Sequence, residues 1–302
     1  LDIYELTKNS FLENASILKV SAINDMGIKK LKNFLIDESK IKNEYSNNEY
    51  FRMFVDRVFS SKGFGQIVTG TVVSGSLSVG DKLKVLPDNK IVKVRGLQTH
   101  EKDINSLHAG SRAAINIQSN EKLNTKRGHH LSDINSSDIY MRAIAKISVL
   151  TKHEKGIENN ERVRVYLGTQ ETMARIIFYN SKLIEPGESA GAILKFERPI
   201  ICSINDKFII RRYSPLITIG GGKILDFNLY KKWHKNKAYI NKIYNLDSIN
   251  RITQIIEKKH LNPFTYSSLC QYMNLSQNKL SESLKNERIQ ILNDNWIVTN
   301  RQ

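Results

Sequence analysis

The feature that most limits how this chain can fold is a run of regularly spaced glycines in alternating sequence. Gly63, Gly65, Gly70, Gly75 and Gly80 divide residues 51–81 into short pieces, and FRMFVDRVF and QIVTGTVVSGSLSVGD carry apolar residues at about every second position. A period of two buries one face of a strand, and pieces this short suit antiparallel strands joined by tight turns. KLKVLP, IVKVRGLQTH and AAINIQ continue the pattern to residue 118. Short strands with one buried face leave exposed edges unless the sheet closes, so 51–120 reads as a small β-barrel.

The same pattern returns after a polar break at 119–137. MRAIAKISVL, RVRVYLG, TMARIIFYN, AGAILKFE and KFIIRRY are five strands of a second all-β barrel whose last strand ends near Tyr213. SPLITIGGGKIL (214–225) reads as the connection out of it, and the second barrel domain is placed at 137–225.

Both ends follow other periods. SILKVSA (16–22) reads as a strand, and Gly27-Ile28 opens a helix with Ile28, Leu31, Phe34 and Leu35 on one face. Residues 40–50 read as a linker, so 1–45 forms its own segment, the C-terminal end of an α/β domain. Near the other end, Asp247 or Ser248 caps a helix carrying Ile249, Ile252, Ile255 and Ile256. A short helix follows at 266–272, and Ser276 caps another with Leu280 and Leu284. A hairpin turning at Asn293-Asp294-Asn295 completes a winged-helix pattern over 240–302. The expected fold class is multidomain and mainly β: an α/β end-piece, two barrels and a winged helix.

The formal charge is +16, from 46 Lys and Arg against 30 Asp and Glu. Seven Lys face eight Asp or Glu in the first fifty residues, so the rest of the chain carries +17. That excess fits a polyanionic partner, nucleic acid first. Two cysteines, Cys202 and Cys270, exclude a disulfide framework and read as packing residues. With no apolar run of membrane length and no signal segment, a cytoplasmic location is expected. The sequence begins at Leu1 rather than Met and reads as a piece of something longer.

Little enzyme chemistry is written in the chain. G-x-x-x-x-G-K-[ST], D-x-x-G and N-K-x-D do not occur, so nucleotide hydrolysis by a phosphate cradle is not expected of it. Gly220-Gly221-Gly222-Lys223 lacks the spacing of a phosphate loop and reads as a tight interdomain connection. No metal site is visible. His129 and His130 are adjacent in a loop, His100, His108, His153, His234 and His260 are scattered, and all seven read as surface histidines.

A resemblance brings these pieces together. The run Phe54-Val-Asp-Arg-Val-Phe through Val-Thr-Gly-Thr-Val-Val-Ser-Gly to Asp81 resembles the second domain of translational GTPases. His108-Ala-Gly-Ser-Arg-Ala-Ala-Ile-Asn116 resembles its closing strand, and Lys126-Arg127-Gly128 the start of its link onward. Ser21-Ala22 resembles the guanine-facing end of the GTP-binding domain that precedes it, and Arg211 to Asp226 the segment closing the third domain. Asp56, Arg57 and Arg112 fall on the positions of the selenocysteine pocket in the selenocysteine-specific elongation factors (SelB type), so the chain is identified as resembling that family.

The resemblance implies selenocysteinyl-tRNA and the ribosome as partners, and GTP with magnesium as cofactors of an intact protein, with none bound tightly by this chain. It implies an mRNA selenocysteine insertion hairpin as a partner only through domains beyond this sequence. A monomer with no membrane contact is expected. Lys258, Lys259, Lys279, Lys285 and Arg288 of the winged helix are candidates for RNA contact or for a solvated face. A Tu-like or initiation-factor-like GTPase is the alternative, and a winged-helix regulator a weaker one.

Overall fold

The structure is a computed structural model that describes residues 2–8, 12–40, 50–61, 65–135, 139–151, 155–179, 181–259, 262–285, 289–292 and 296–299. The linker at 40–50 and the turn at Asn293–Asn295 therefore fall largely or wholly outside the described residues, as do Gly63, His153, His260 and Arg288. The chain divides into two compact units, Leu1–Glu44 and Tyr45–Gln302.

The first unit holds α1 (Asp2–Thr7) and α2 (Ile28–Lys40). The expected strand at 16–22 is not formed; its end makes one isolated bridge, Ser21 to Met26. A strand needs a partner strand, and the unit contains none among its described residues. Gly27, at φ +74°, starts α2 as expected, because a side chain there would meet the Lys19 carbonyl.

The second unit begins with β1 (Arg52–Ser61), β2 (Gly65–Ser74), β3 (Ser76–Ser78), β4 (Lys82–Leu86), β5 (Lys90–Thr99), β6 (Lys102–Ile104), β7 (Ser106–His108), β8 (Arg112–Gln118) and β9 (His130–Asp133). The strand order β4-β9-β1-β2-β8-β5 closes through a β5–β4 pairing, with β6 added on β5 and β3–β7 as a separate ribbon. Met53, Val55, Val68, Val94, Ile115 and Ile117 fill this barrel. Two expectations are corrected here. The polar break contains β9, so the barrel runs to Asp133 rather than 120. And β8, read as the closing strand, lies between β2 and β5; β9 makes the closure between β4 and β1. His-Leu-Ser-Asp has too little alternation to announce itself, and it is held by neighbours on both sides.

The second barrel comprises β10 (Ile139–Val149), β11 (Ile157–Glu158), β12 (Arg162–Leu167), β13 (Gln170–Phe178), β14 (Leu183–Ile184), β15 (Ser189–Ile201), β16 (Lys207–Arg212) and β17 (Thr218–Asp226). It closes in the order β10-β15-β13-β12-β16-β17, and β11–β14 form a side ribbon. The Gly220–Gly222 run is thus no connection: it is the middle of β17, the sixth strand. A Cβ on Gly222 would sit 2.1 Å from the Lys146 carbonyl and 2.5 Å from the Phe208 ring, so only glycine lets that ring fill the barrel there.

After the barrel come α3 (Trp233–Ile243), α4 (Ser248–Lys258), β18 (Phe264–Thr265), α5 (Tyr266–Met273), α6 (Gln277–Ser283), β19 (Ile289–Ile291) and β20 (Trp296–Thr299). The three strands pair as β18-β20-β19. Asp247, Thr265 and Ser276 accept the N-terminal backbone N–H groups of α4, α5 and α6. The sequence pattern does not announce α3; its Tyr239, Ile240 and Ile243 cover Ile144, Ile193 and Leu225 on the outside of the second barrel.

Two buried polar joints hold the second unit together. Arg52 on β1, 2 % exposed, binds Asp206 between β15 and β16 with both guanidinium nitrogens, at 3.3 and 2.8 Å. Beside it the Gln170 amide exchanges two hydrogen bonds with the Ile201 backbone, which orients its NH2 to donate to Nε2 of His130 at 2.8 Å. His129 and His130 are buried, not surface histidines; β9 starts at His130 and carries its ring to Gln170 of β13. At the other joint Asp226, fully buried, accepts from Tyr239, Tyr272 and Lys258. Burial pushes the Lys258 ammonium pKa down and both tyrosines up, against the pull of the carboxylate on the lysine.

Removing one partner of a buried ion pair leaves the other charge stranded. Asp206→Ala should cost about 3–5 kcal/mol in urea unfolding, while Arg52→Met with Asp206→Leu should be close to neutral. A near-neutral single variant would refute the joint. Burial, then the charges of Arg52 and His129, hold the His130 pKa well below 6.5. Its stabilising contribution is complete above pH 6.5, and falls away as pH drops below that value. The stability lost between pH 7.5 and 5.5 should shrink in His130→Gln.

Candidate functional site: an arginine cluster on the first barrel

Residue 56 has no partner in the β1–β2 ladder: Val55 pairs with Gly70 and Arg57 with Thr69. This bulge breaks the strict alternation of β1. Val55 stays in the core while Asp56 and Arg57, consecutive in sequence, both reach the outside. Arg112 is delivered by the first residue of β8, paired with Thr71 on β2.

The three residues singled out from the sequence therefore come together. Arg112 lies 3.5 Å from Oδ2 of Asp56, and Arg57 at 4.0 Å from the same oxygen. A fourth residue joins them that sequence reasoning did not assign to the site: Arg127 lies 3.4 Å from Oδ1. It is placed by the backbone next to β9, where Gly128 N–H donates to Val55 C=O and Val55 N–H to His129 C=O. Its signal was present in Lys126-Arg127-Gly128, but only barrel closure brings that segment beside β1.

Three guanidiniums thus share one carboxylate, and each arginine side chain is more than 60 % exposed. Two positive charges remain uncompensated, with most of the fifteen or so N–H donors of the three forks unspent. Arg57 and Arg112 open onto a cleft of about 370 Å³ also lined by Phe59, Thr69, Gln98 and Ala114. Asp56 and Arg127 are not on its wall. The far rim is the β5–β6 turn, where His100 and Glu101 both adopt left-handed backbone, at φ +49° and +64°. They are the central pair of the two-residue β5–β6 hairpin, whose primed turn needs φ > 0 at both positions. The arrangement suits a small anionic group with an apolar neighbour: charge-assisted donors on one wall, Phe59 on another.

Ser21 and Ala22, the candidate guanine-facing pair, belong to the other unit. There the Ser21 hydroxyl accepts from the Asn24 backbone at 3.4 Å, closing the turn ahead of α2.

The basic residues of the C-terminal module divide. Lys258 is buried on Asp226, and the half-buried Lys259 packs over the Phe264 and Tyr272 rings. Lys285 is exposed. No helix of the described residues is long and apolar enough to cross a membrane.

Comparison with known proteins agrees with this layout. Residues 144–231 match the family model "Selenocysteine-specific elongation factor, beta-barrel domain", and residues 65–132 match "Elongation factor Tu domain 2". The chain is 33 % identical over 220 residues to the selenocysteine-specific elongation factor of Desulfomicrobium baculatum, covering 72 % of this chain and 34 % of that protein. It is 32 % identical over 237 residues to that of Methanocaldococcus jannaschii, covering 72 % and 50 %. The chain thus spans half or less of the length of these relatives. Among solved structures, a bacterial selenocysteine-specific elongation factor matches with a TM-score of 0.78 at 22 % identity, over 99 % of this chain and 47 % of that one. The apo factor of Methanococcus maripaludis matches at TM-score 0.64 and 26 % identity, over 76 % and 54 %.

Exposed ion pairs contribute little to stability, about 0–1 kcal/mol. Arg57→Ala, Arg112→Ala and Arg127→Ala should therefore each shift urea unfolding by less than about 1 kcal/mol. A loss above about 2 kcal/mol in any of them would mark the cluster as a structural clamp rather than a site kept for a ligand.

Proposed function

The chain belongs to the selenocysteine-specific elongation factor family, and from that membership we propose that it holds the aminoacyl end of selenocysteinyl-tRNA on its first barrel. The single observation that carries this is the surplus of guanidinium charge at the mouth of the cleft, two arginines beyond what Asp56 neutralises.

The chemistry of discrimination follows from acidity. A selenol is more acidic than a thiol and is largely anionic at neutral pH. Serine is neutral, and a cysteine thiol with pKa about 8.5 is mostly protonated. Arg57 and Arg112 remain charged throughout and present donors in fixed geometry to the selenolate. Asp56 holds both guanidiniums by one oxygen, which orients them without cancelling them. Arg127 lies by the other oxygen and adds to the positive field. Selenocysteine binding by Asp56, Arg57 and Arg112 is thus read as one positioning carboxylate and two contacting arginines.

The family's members are GTPases, and GTP with magnesium supplies their switching chemistry. This sequence has no phosphate loop, D-x-x-G or N-K-x-D, so no hydrolytic step falls to its residues. The helix-strand-helix-helix-hairpin module from α4 to β20 fits a winged helix. Its recognition side is not assigned to an mRNA hairpin; one of its candidate contacts, Lys258, is used internally on Asp226. The ribosome and the tRNA body are read as partners of the basic barrels.

The test is direct binding of selenocysteinyl-, cysteinyl- and seryl-tRNA to the chain. Loss of a charge-assisted contact is worth about 1.5–3 kcal/mol, so Arg57→Ala or Arg112→Ala should reduce preference for selenocysteinyl over seryl ester by roughly 10- to 100-fold. Preference over the cysteinyl ester should narrow as pH rises through about 8.5 and the thiolate forms. Unchanged discrimination in both variants would reject the pocket.

A further inference from the structure

The cleft on the first barrel carries charge of both signs. The register sets Arg57, Thr69, Ala114 and Gln98 side by side on β1, β2, β8 and β5. Adjacent strands lie about 4.8 Å apart, so the backbones of Arg57 and Gln98 stand about 14 Å apart across a floor of Thr69 and Ala114. Beyond Gln98 the chain turns at His100-Glu101, and both residues line the cleft. The Thr99 hydroxyl donates to the Arg112 carbonyl at 2.9 Å and so ties this turn to the start of β8. The Gln98 amide donates to Asp103 at 2.8 Å, which braces the hairpin on its other strand. The turn is therefore held at a set place beside the arginines.

The carboxylates near the cleft differ in what is left to them. Asp56 is shared by three guanidiniums and lies off the cleft wall. Among the described residues Glu101 is the one carboxylate on that wall. It is exposed, and no ion pair involves it among the described residues. A simple anion would gain from the arginines but be repelled by Glu101. A ligand with a negative and a positive group on neighbouring atoms is favoured by both. The selenocysteinyl ester is such a ligand, with a selenolate on its β-carbon and an ammonium on the adjacent α-carbon. An ammonium has three donors and no acceptor, and guanidiniums accept nothing, so it needs an uncommitted oxygen.

We propose that Glu101 is a specificity-determining residue of this cleft, accepting the α-ammonium of the aminoacyl ester while Arg57 and Arg112 hold the selenolate. This rests on the reading of the cleft as the selenocysteine site and adds a second criterion to it. The arginines judge the side-chain charge, and Glu101 judges the free α-amino group. A seryl ester fails the first, and an N-acylated ester fails the second.

The test titrates the whole chain and Glu101→Gln with selenocysteinyl-tRNA and with N-acetyl-selenocysteinyl-tRNA at one salt concentration. The wild-type chain should prefer the free amine by roughly 10- to 100-fold, the effect of one charge-assisted hydrogen bond, and Glu101→Gln should bring that preference to within about threefold. In the wild type the preference should shrink as pH rises past the α-amino pKa of about 8, where the ammonium becomes a neutral amine; in Glu101→Gln it should stay flat. Because Glu101 is an exposed turn residue, the variant should unfold at an unchanged urea concentration and keep its preference for selenocysteinyl- over seryl-tRNA. Arg57→Ala should do the reverse, losing preference over the seryl ester while still favouring the free amine. A wild-type chain that binds both selenocysteinyl esters equally would overturn the role of Glu101, as would a Glu101→Gln variant with the wild-type preference; the cleft reading would stand in either case if Arg57→Ala still acts. An Arg57→Ala variant with unchanged discrimination against the seryl ester would overturn the cleft reading, and the role of Glu101 with it.

Discussion

A sheet with one buried face must cover its edges, and in this chain both sheets do so by closing into six-strand rings. The rest of the structure depends on the two closures. β9 joins β4 to β1 and so completes the first core, turns His130 toward Gln170, and lays Arg127 beside Asp56. β17 joins β16 to β10, seats Phe208 over Gly222, sets Lys223 between Lys207 and Lys146, and ends in Asp226. Each closing strand therefore contributes to packing and to a charged surface at once.

Burial sorts the cations into two groups. Arg52 and Lys258 are spent on single buried carboxylates, where solvation lost on folding must be replaced by a partner in good geometry. They hold the first barrel, the second barrel and the C-terminal helices in one unit. Arg57, Arg112 and Arg127 are exposed and outnumber their carboxylate, and Lys146, Lys207 and Lys223 face one another without any. Exposed arginines grouped in this way do little for folding, which is why Arg57, Arg112 and Arg127 point to a ligand. The sequence charge of +17 beyond residue 50 is a sum over both groups and does not separate them.

Much of the fold could be read from alternation, because a period of two is imposed by the strand itself. The alternating runs ending at Gln118 in the first barrel and Tyr213 in the second are strands in the structure. The two closing strands were unreadable for opposite reasons. His130–Asp133 is short and polar, and Gly220–Gly222 lacks side chains to show a period at all. Both are strands because of what lies on either side of them. α3 escaped notice likewise, since its apolar face matches the barrel wall rather than any strong local pattern.

Asp56, Arg57 and Arg112 were found by resemblance in sequence, and their side-chain types alone set the chemistry they offer: guanidiniums do not lose charge at any physiological pH. Whether those charges meet was decided elsewhere. The bulge at Asp56 turns two consecutive residues to one side, and the register of β2 with β8 brings up Arg112. Residue identity determines charge, period and turn, all local properties of the chain. Only the closed barrels determine which charges become neighbours, because strands far apart in sequence lie about 5 Å apart in the sheet.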